Sequence, residues 1–258
     1  DDDPAKKVSR VHPALSSDGL AFTVDAQPII SPGAPGEDDD LGCEDPTVVR
    51  EAGHDVVFYS GYGGPEKRST MLRATADGVA GLTKHGRAFD DRRFENPKEA
   101  SVLSTPDGFR LFFEYAVDGA SRIGAADAPS LEGPWTFAES PLPERPGAFD
   151  SWHLSPASAV RLSNGEHVLF YNGSTKETVW RIGWARLSAD AREVLERSDQ
   201  PIIGTFDLKP GDTDIAFAAS TVLEQAEAVS VYYSISDRRL LRVQFSVEGA
   251  VADSARAD

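Results

Sequence analysis

The chain has 258 residues, 40% of them hydrophobic and 26% charged, an ordinary balance for a globular protein that argues against wholesale disorder. Its 42 acidic against 26 basic residues leave a formal charge of -16, a field that repels nucleic acid and anionic membrane and favours a neutral or cationic ligand. Cys43 is the single cysteine, so an internal disulfide and a thiolate zinc cluster are excluded, and no apolar stretch reaches the roughly 18 residues of a membrane-crossing helix.

The opening DDDPAKKVSR (1–10) lacks the apolar core of a signal peptide. Missing disulfides suit a reducing compartment and many exported proteins alike, so the compartment stays open. GLAFTVDAQPII (19–30) reads as strand and turn, and the acidic, Gly/Pro-rich SPGAPGEDDD (31–40) as a surface loop. A unit then begins that the chain writes four times. Its first segments are EDPTVVREAG (44–53), KEASVLSTPDG (98–108), SPASAVRLSNG (155–165) and AFAASTVLEQA (216–226). Its second segments are HDVVFYSGY (54–62), GFRLFFEYA (108–116), EHVLFYNGS (166–174) and AVSVYYSIS (228–236), each a doubly apolar strand with a small or polar end. Third segments follow in SRIGAADA (121–128) and WRIGWARLS (180–188), with weaker echoes in STMLRATA (69–76) and RRLLRVQF (238–245). The best helix signal is SADAREVLERSD (188–199), where Ser188 caps a short helix running to about Arg197.

The units align on aromatic residues at Phe58, Phe112, Phe170 and Tyr232, a period of roughly 50 residues that marks propeller blades. The expected fold is all-β, a five-bladed β-propeller forming one domain over 1–258. Residues 19–30 complete its ring with C-terminal strands, and VADSARAD (251–258) is a loose tail. An irregular sandwich is the competing architecture, but three matched segments in fixed order favour the ring.

In a propeller the first strand of each unit lines the axis, so unit starts share one funnel. That gathers Glu44 and Asp45, Lys98 and Glu99, Trp152 and His153 with Ser155, then Asp212 and Asp214. Converging carboxylates are what glycosidic bond cleavage requires, one protonated to donate to the leaving oxygen and one ionised as base or nucleophile. The expected catalytic residues are Asp45, Glu99, Asp214 and Glu114, the last ending its second strand where Ser60, Asn172 and Ser234 stand in the other units. The expected substrate-binding residues are Glu44, Lys98, Arg68, Trp152 for stacking on a pyranose, and His153 for a sugar hydroxyl. Each has a bland alternative: Asp45-Pro46 as a turn, a Lys98–Glu99 ion pair, tryptophans in the core, Arg68 and Arg181 bridging blades. No nucleotide loop, serine nucleophile elbow or calcium-ligand spacing is present, so neither cofactor nor metal is expected.

GCEDP before a strand, FYSGYGG, LFYNGS with RIGWARLS, and VYYSIS together resemble the five-bladed glycosidases of glycoside hydrolase families 43 and 130, the latter more closely. Family 130 holds β-mannoside phosphorylases and β-mannosidases, and the resemblance implies a sugar on the funnel floor attacked with inversion by phosphate or water. Its phosphorylases carry an arginine after EDP, where this chain has Thr47, and an acid closing a YTAYD-type strand, where it has Gly63. Family 43 enzymes place carboxylates at inner-strand starts, which Asp45 and Glu99 match. The expected function is an exo-acting, inverting glycoside hydrolase with an oligosaccharide or glycoside as partner. The competing functions are a phosphorylase holding phosphate on Lys98, His153 and Arg68, and a propeller that only binds glycan.

Overall fold

The computed structural model describes residues 8–51, 53–77, 81–225 and 227–251, so most of the expected tail lies outside the described residues. The chain divides into two compact units, 1–100 and 101–258. Among the described residues every regular element is a strand.

In the first unit β1 (Ala14–Leu15) pairs with β2 (Thr23–Val24). Then β3 (Gly42–Glu51), β4 (His54–Gly63), β5 (Arg68–Asp77) and β6 (Gly81–Arg87) form one antiparallel meander. The unit boundary falls inside β7 (Glu95–Thr105). A second meander adds β8 (Gly108–Val117), β9 (Ala120–Ala128) and β10 (Thr136–Ala138). A third runs through β11 (His153–Leu162), β12 (His167–Ser174), β13 (Trp180–Leu187) and β14 (Val194–Arg197). The fourth has three strands, β15 (Ala216–Gln225), β16 (Ala228–Ile235) and β17 (Arg239–Ser246), and β18 (Ala250–Val251) closes the chain. Consecutive antiparallel strands with short turns are the build of propeller blades.

Among the described residues four blades form, not the expected five. Residues 19–30 give only the two-residue β2 and a bridge from Ile30 to Val11. The C-terminal β18 pairs with Arg161 and Leu162 of β11, extending the third blade. Two-residue strands with Leu15 and Val24 exposed bury too little apolar surface to found a sheet. The expected helix at 188–197 is also absent. Ser188 does cap a turn, its Oγ accepting from the Arg192 and Glu193 N–H groups, but Ala191 takes a left-handed φ of 54° and no helix propagates. That reversal offers the Ala191 carbonyl to fully buried Arg110 at 2.9 Å, and the chain continues as β14.

The doubly apolar second strands have a clear cause. All of β12 is buried, and its alternation sends Leu169 and Tyr171 into a core with Phe112, Ile123 and Leu154, while Val168 and Phe170 enter another with Val229, Val231 and Ile235. A blade sandwiched between blades needs apolar residues on both faces. In the second unit β11 packs against β8, β9 and β15, as the first strand of a blade should.

The same latch closes two blades. Tyr59 of β4 donates to buried Asp39 at 3.0 Å, and Lys84 of β6 pairs with Asp39 at 2.5 Å. Tyr171 of β12 donates to fully buried Asp150 at 2.7 Å, and Arg197 of β14 pairs with Asp150 at 2.7 Å. Gly61 and Gly173 make room, since a Cβ there would come within 2.8 Å of Asp39 Cβ and 2.5 Å of Asp150 Cβ. The 31–40 segment is irregular, as expected, yet it is pinned to the first blade. Asp38 receives two 2.7 Å bonds from Arg87, and that hydrogen bonding holds its carboxyl below the usual range.

Candidate active site

The first strands of three blades carry an irregularity just upstream of their pairing with the aromatic. β3 and β4 shift register between Glu44 and Thr47, β11 and β12 between Pro156 and Ser158, and β15 and β16 between Ala218 and Ser220. The pairings Glu44↔Ser60, Ser155↔Asn172 and Phe217↔Ser234 align the three bulges, making Asp45, Pro156 and Ala218 equivalent. Bulges re-aim side chains and gather at functional rims.

In the first unit the bulge bears an acid with strained backbone. Asp45 and Glu99 both take a left-handed φ of 52°, which a non-glycine residue adopts at a cost of about 1–3 kcal/mol. Both are half-buried. The Thr47 hydroxyl donates to the Ala100 carbonyl at 2.7 Å, so the bulge holding Asp45 is tied to the residue after Glu99. Glu44 is exposed and Lys98 half-buried beside these acids in sequence. Buried Ser60, opposite Glu44, has no hydrogen-bond partner on its Oγ among the described residues. Arg68 opens β5 and is neutralised by Glu66 at 3.1 Å and Asp90 at 3.3 Å. Cys43 is buried and its thiol is pushed up to about 12 by that burial, which removes it as a nucleophile.

In the second unit Glu114 is buried in β8 and accepts from the Ser121 Oγ at 2.8 Å. The Ser121 N–H donates to His153 Nδ1 at 3.0 Å. His153 stacks on Trp180 with ring centroids 5.4 Å apart and meets the edge of Trp152 at 6.5 Å. Trp180 in turn meets Phe217 at 5.2 Å, so these half-exposed rings form a continuous aromatic surface. Lys176 sits 5.0 Å above Trp152.

Asp214 lies apart from the bulge, whose equivalent position in that blade is Ala218. It pairs with Arg181 at 2.9 Å and accepts from Thr205, and the Arg181 hydrogen bond holds its carboxyl below the usual range. Arg181 of β13 thereby ties the third blade to the segment entering β15, the bridging role weighed for it from sequence. Arg122 of β9 repeats this one blade earlier, donating to the Trp152 carbonyl at 2.6 Å and to Glu144 at 3.0 Å. Asn172, at the place Glu114 holds in its own blade, clasps the Ala218 backbone with bonds of 3.1 and 2.7 Å. Ser121 escaped the sequence reading. Its only signal was its place beside the RIG echo in SRIGAADA and WRIGWARLS.

Blade meanders with an acid on a first-strand bulge and a half-exposed aromatic surface define an all-β fold of the carbohydrate-active class. The chain belongs to glycoside hydrolase family 130: that family's sequence model, described as beta-1,4-mannooligosaccharide phosphorylase, matches residues 2–248. No curated protein sequence matches the chain. Among solved structures it is similar to a beta-1,2-mannobiose phosphorylase from Listeria innocua, solved with beta-1,2-mannobiose. The TM-score is 0.79 at 21% identity, over 92% of this chain and 67% of that one. It is similar too to a structure described among family 130 glycoside hydrolases that target beta-1,2 mannosidic linkages in Candida mannan. There the TM-score is 0.78 at 22% identity, over 95% of this chain and 78% of that one. An alpha-L-arabinofuranosidase from Lactobacillus brevis follows at a TM-score of 0.61 and 15% identity, over 93% of this chain and 76% of that one. At these identities the likeness carries the fold.

Proposed function

We propose that the protein hydrolyses β-mannosides from chain ends with inversion, using Asp45 and Glu99 as its carboxylate pair. The observation that carries this is the matched strain. Of the aligned bulge positions Asp45, Pro156 and Ala218, only Asp45 takes the left-handed conformation, and Glu99, near the start of the next blade's first strand, takes it too. Stored backbone strain clusters where a side chain must be aimed. In an inverting hydrolase one carboxylic acid protonates the leaving oxygen while the other activates a water on the opposite ring face. Family membership supplies the β-mannoside substrate class.

Water is favoured over phosphate as the attacking group. Arg68 already faces two carboxylates, and Thr47, standing where family phosphorylases carry arginine, spends its hydroxyl on the Ala100 carbonyl. A net charge of -16 gives a phosphate no long-range help. Asp214 is left out of the pair because its ion pair with Arg181 keeps it ionised.

The test incubates the protein with β-1,2- and β-1,4-mannobiose, with and without phosphate. Free mannose should appear at a rate independent of phosphate, first as the inverted anomer by proton NMR. Phosphate-dependent release of mannose 1-phosphate would replace hydrolysis with phosphorolysis. Asp45→Asn and Glu99→Gln should each lower kcat by about 10²–10⁴-fold with an unchanged circular dichroism spectrum. Full turnover in either variant removes that residue from the mechanism.

A further inference from the structure

We infer that Lys176 guards the face of Trp152 on which a neutral pyranoside ring stacks: its ammonium covers the indole in the free protein and yields it to the sugar. The inference deepens the proposed function and rests on it for the ligand class alone.

Trp152 is held through its backbone by two blades. Its N–H donates to the Ser174 carbonyl of β12 at 2.9 Å, and its carbonyl accepts from the Arg122 guanidinium of β9 at 2.6 Å. Arg122 is fixed in turn by the Ser121 carbonyl and by Glu144, each at 3.0 Å. With both backbone groups tied, the half-buried indole has a set position just before β11.

Lys176 reaches this ring from the turn that follows β12. The Thr178 N–H donates to the Thr175 carbonyl at 3.0 Å, so the chain folds back immediately after Ser174, the residue that accepts from Trp152. Lys176 Nζ stands 5.0 Å from the indole centroid. Lys176 is exposed, so the face it covers is the one that opens to solvent. An exposed ammonium on an indole face is weakly held and exchanges the ring for water at little cost.

That arrangement selects the ligand by chemistry. The ammonium and the apolar C–H face of a pyranose cannot share one indole face, so the sugar must displace the lysine. A cationic ligand would be repelled by Lys176 on approach, and an anionic one would bind the ammonium where it stands and leave the ring covered. A neutral ring meets neither obstacle.

The experiment follows the Lys176 ε-methylene protons by NMR in the full chain, identified by their loss in Lys176→Ala, and measures mannobiose binding by calorimetry. In the free protein the indole ring current should shift these protons upfield, and Trp152→Leu should abolish the shift. Saturation with β-1,2- or β-1,4-mannobiose should abolish it too. Lys176→Ala should tighten mannobiose binding about two- to fivefold, the size expected of one exposed cation–π contact. Absence of the upfield shift in the free protein overturns the inference even if Asp45 and Glu99 prove catalytic and the proposed function stands. A shift that survives saturation overturns it as well, as does unchanged or weaker binding by Lys176→Ala. Failure of the unmodified protein to bind either mannobiose sinks both the inference and the substrate class on which it rests.

Discussion

Asp45 and Glu99 hold conformations that cost energy, and the hydroxyl bond from Thr47 to the Ala100 carbonyl helps to tie together the strands that carry them. Asp45→Gly should therefore raise stability, by about 1 kcal/mol, while abolishing turnover. A urea midpoint measured beside mannobiose hydrolysis checks both signs together. Asp214→Asn should behave in the opposite way, keeping kcat within a few-fold while weakening the Arg181 bridge into β15. These two acids looked alike in the sequence, each flanked by further carboxylates at a unit start. Asp214 is set apart once its partner is seen, because a carboxylate already held by an arginine has little freedom to exchange a proton.

Within a blade the Asp–Tyr–cation latch dominates. Asp150 is wholly buried and meets Arg145 at 2.8 Å and Arg197 at 2.7 Å, so Asp150→Ala strands two guanidinium groups and should cost about 3–5 kcal/mol. Tyr171→Phe removes one hydroxyl from the same cluster and should cost about 1–2 kcal/mol by the same denaturation measurement. Burial pushes the Tyr171 phenol up to about 12, so this bond stays intact through the alkaline range in which enzymes are usually assayed. The second blade replaces the latch with aromatic packing, Phe113 meeting Phe137 edge-on at 6.1 Å. FYSG and FYNG were visible as a repeat in the sequence, but the acids they serve were not. Asp39 and Asp150 sit far upstream in irregular segments, and no local pattern announces which acid will be buried.

Across the whole molecule, the depressed carboxylates set the response to acid. Hydrogen bonds from arginine hold Asp38, Asp91 and Asp214 below their ordinary value of 3.8, and Glu166 below its ordinary 4.5, while the Ser188 hydroxyl does the same for Asp190. A folded pKa below the unfolded one contributes stability that is complete above the unfolded value and is lost as pH falls through the folded value. Urea midpoints should accordingly be flat from neutrality to about pH 5 and fall below about pH 4. Most of these pairs are partly exposed, so added salt should flatten that fall. An acid limb of stability that began near pH 6 would point to histidine and count against this account.

Turn residues, strands apolar on both faces and the repeat itself are local matters, and the sequence alone determined them, including the family to which the chain belongs. The number of blades among the described residues, the loss of the helix after Ser188 and the pairing of Asp214 with Arg181 were decided by tertiary structure. β18 joined the third blade because Arg161 and Leu162 offered it an edge, and Ala191 reversed because buried Arg110 needed its carbonyl. A carboxylate's role follows from what lies within about 3 Å of it, and those neighbours are supplied by segments distant in the chain.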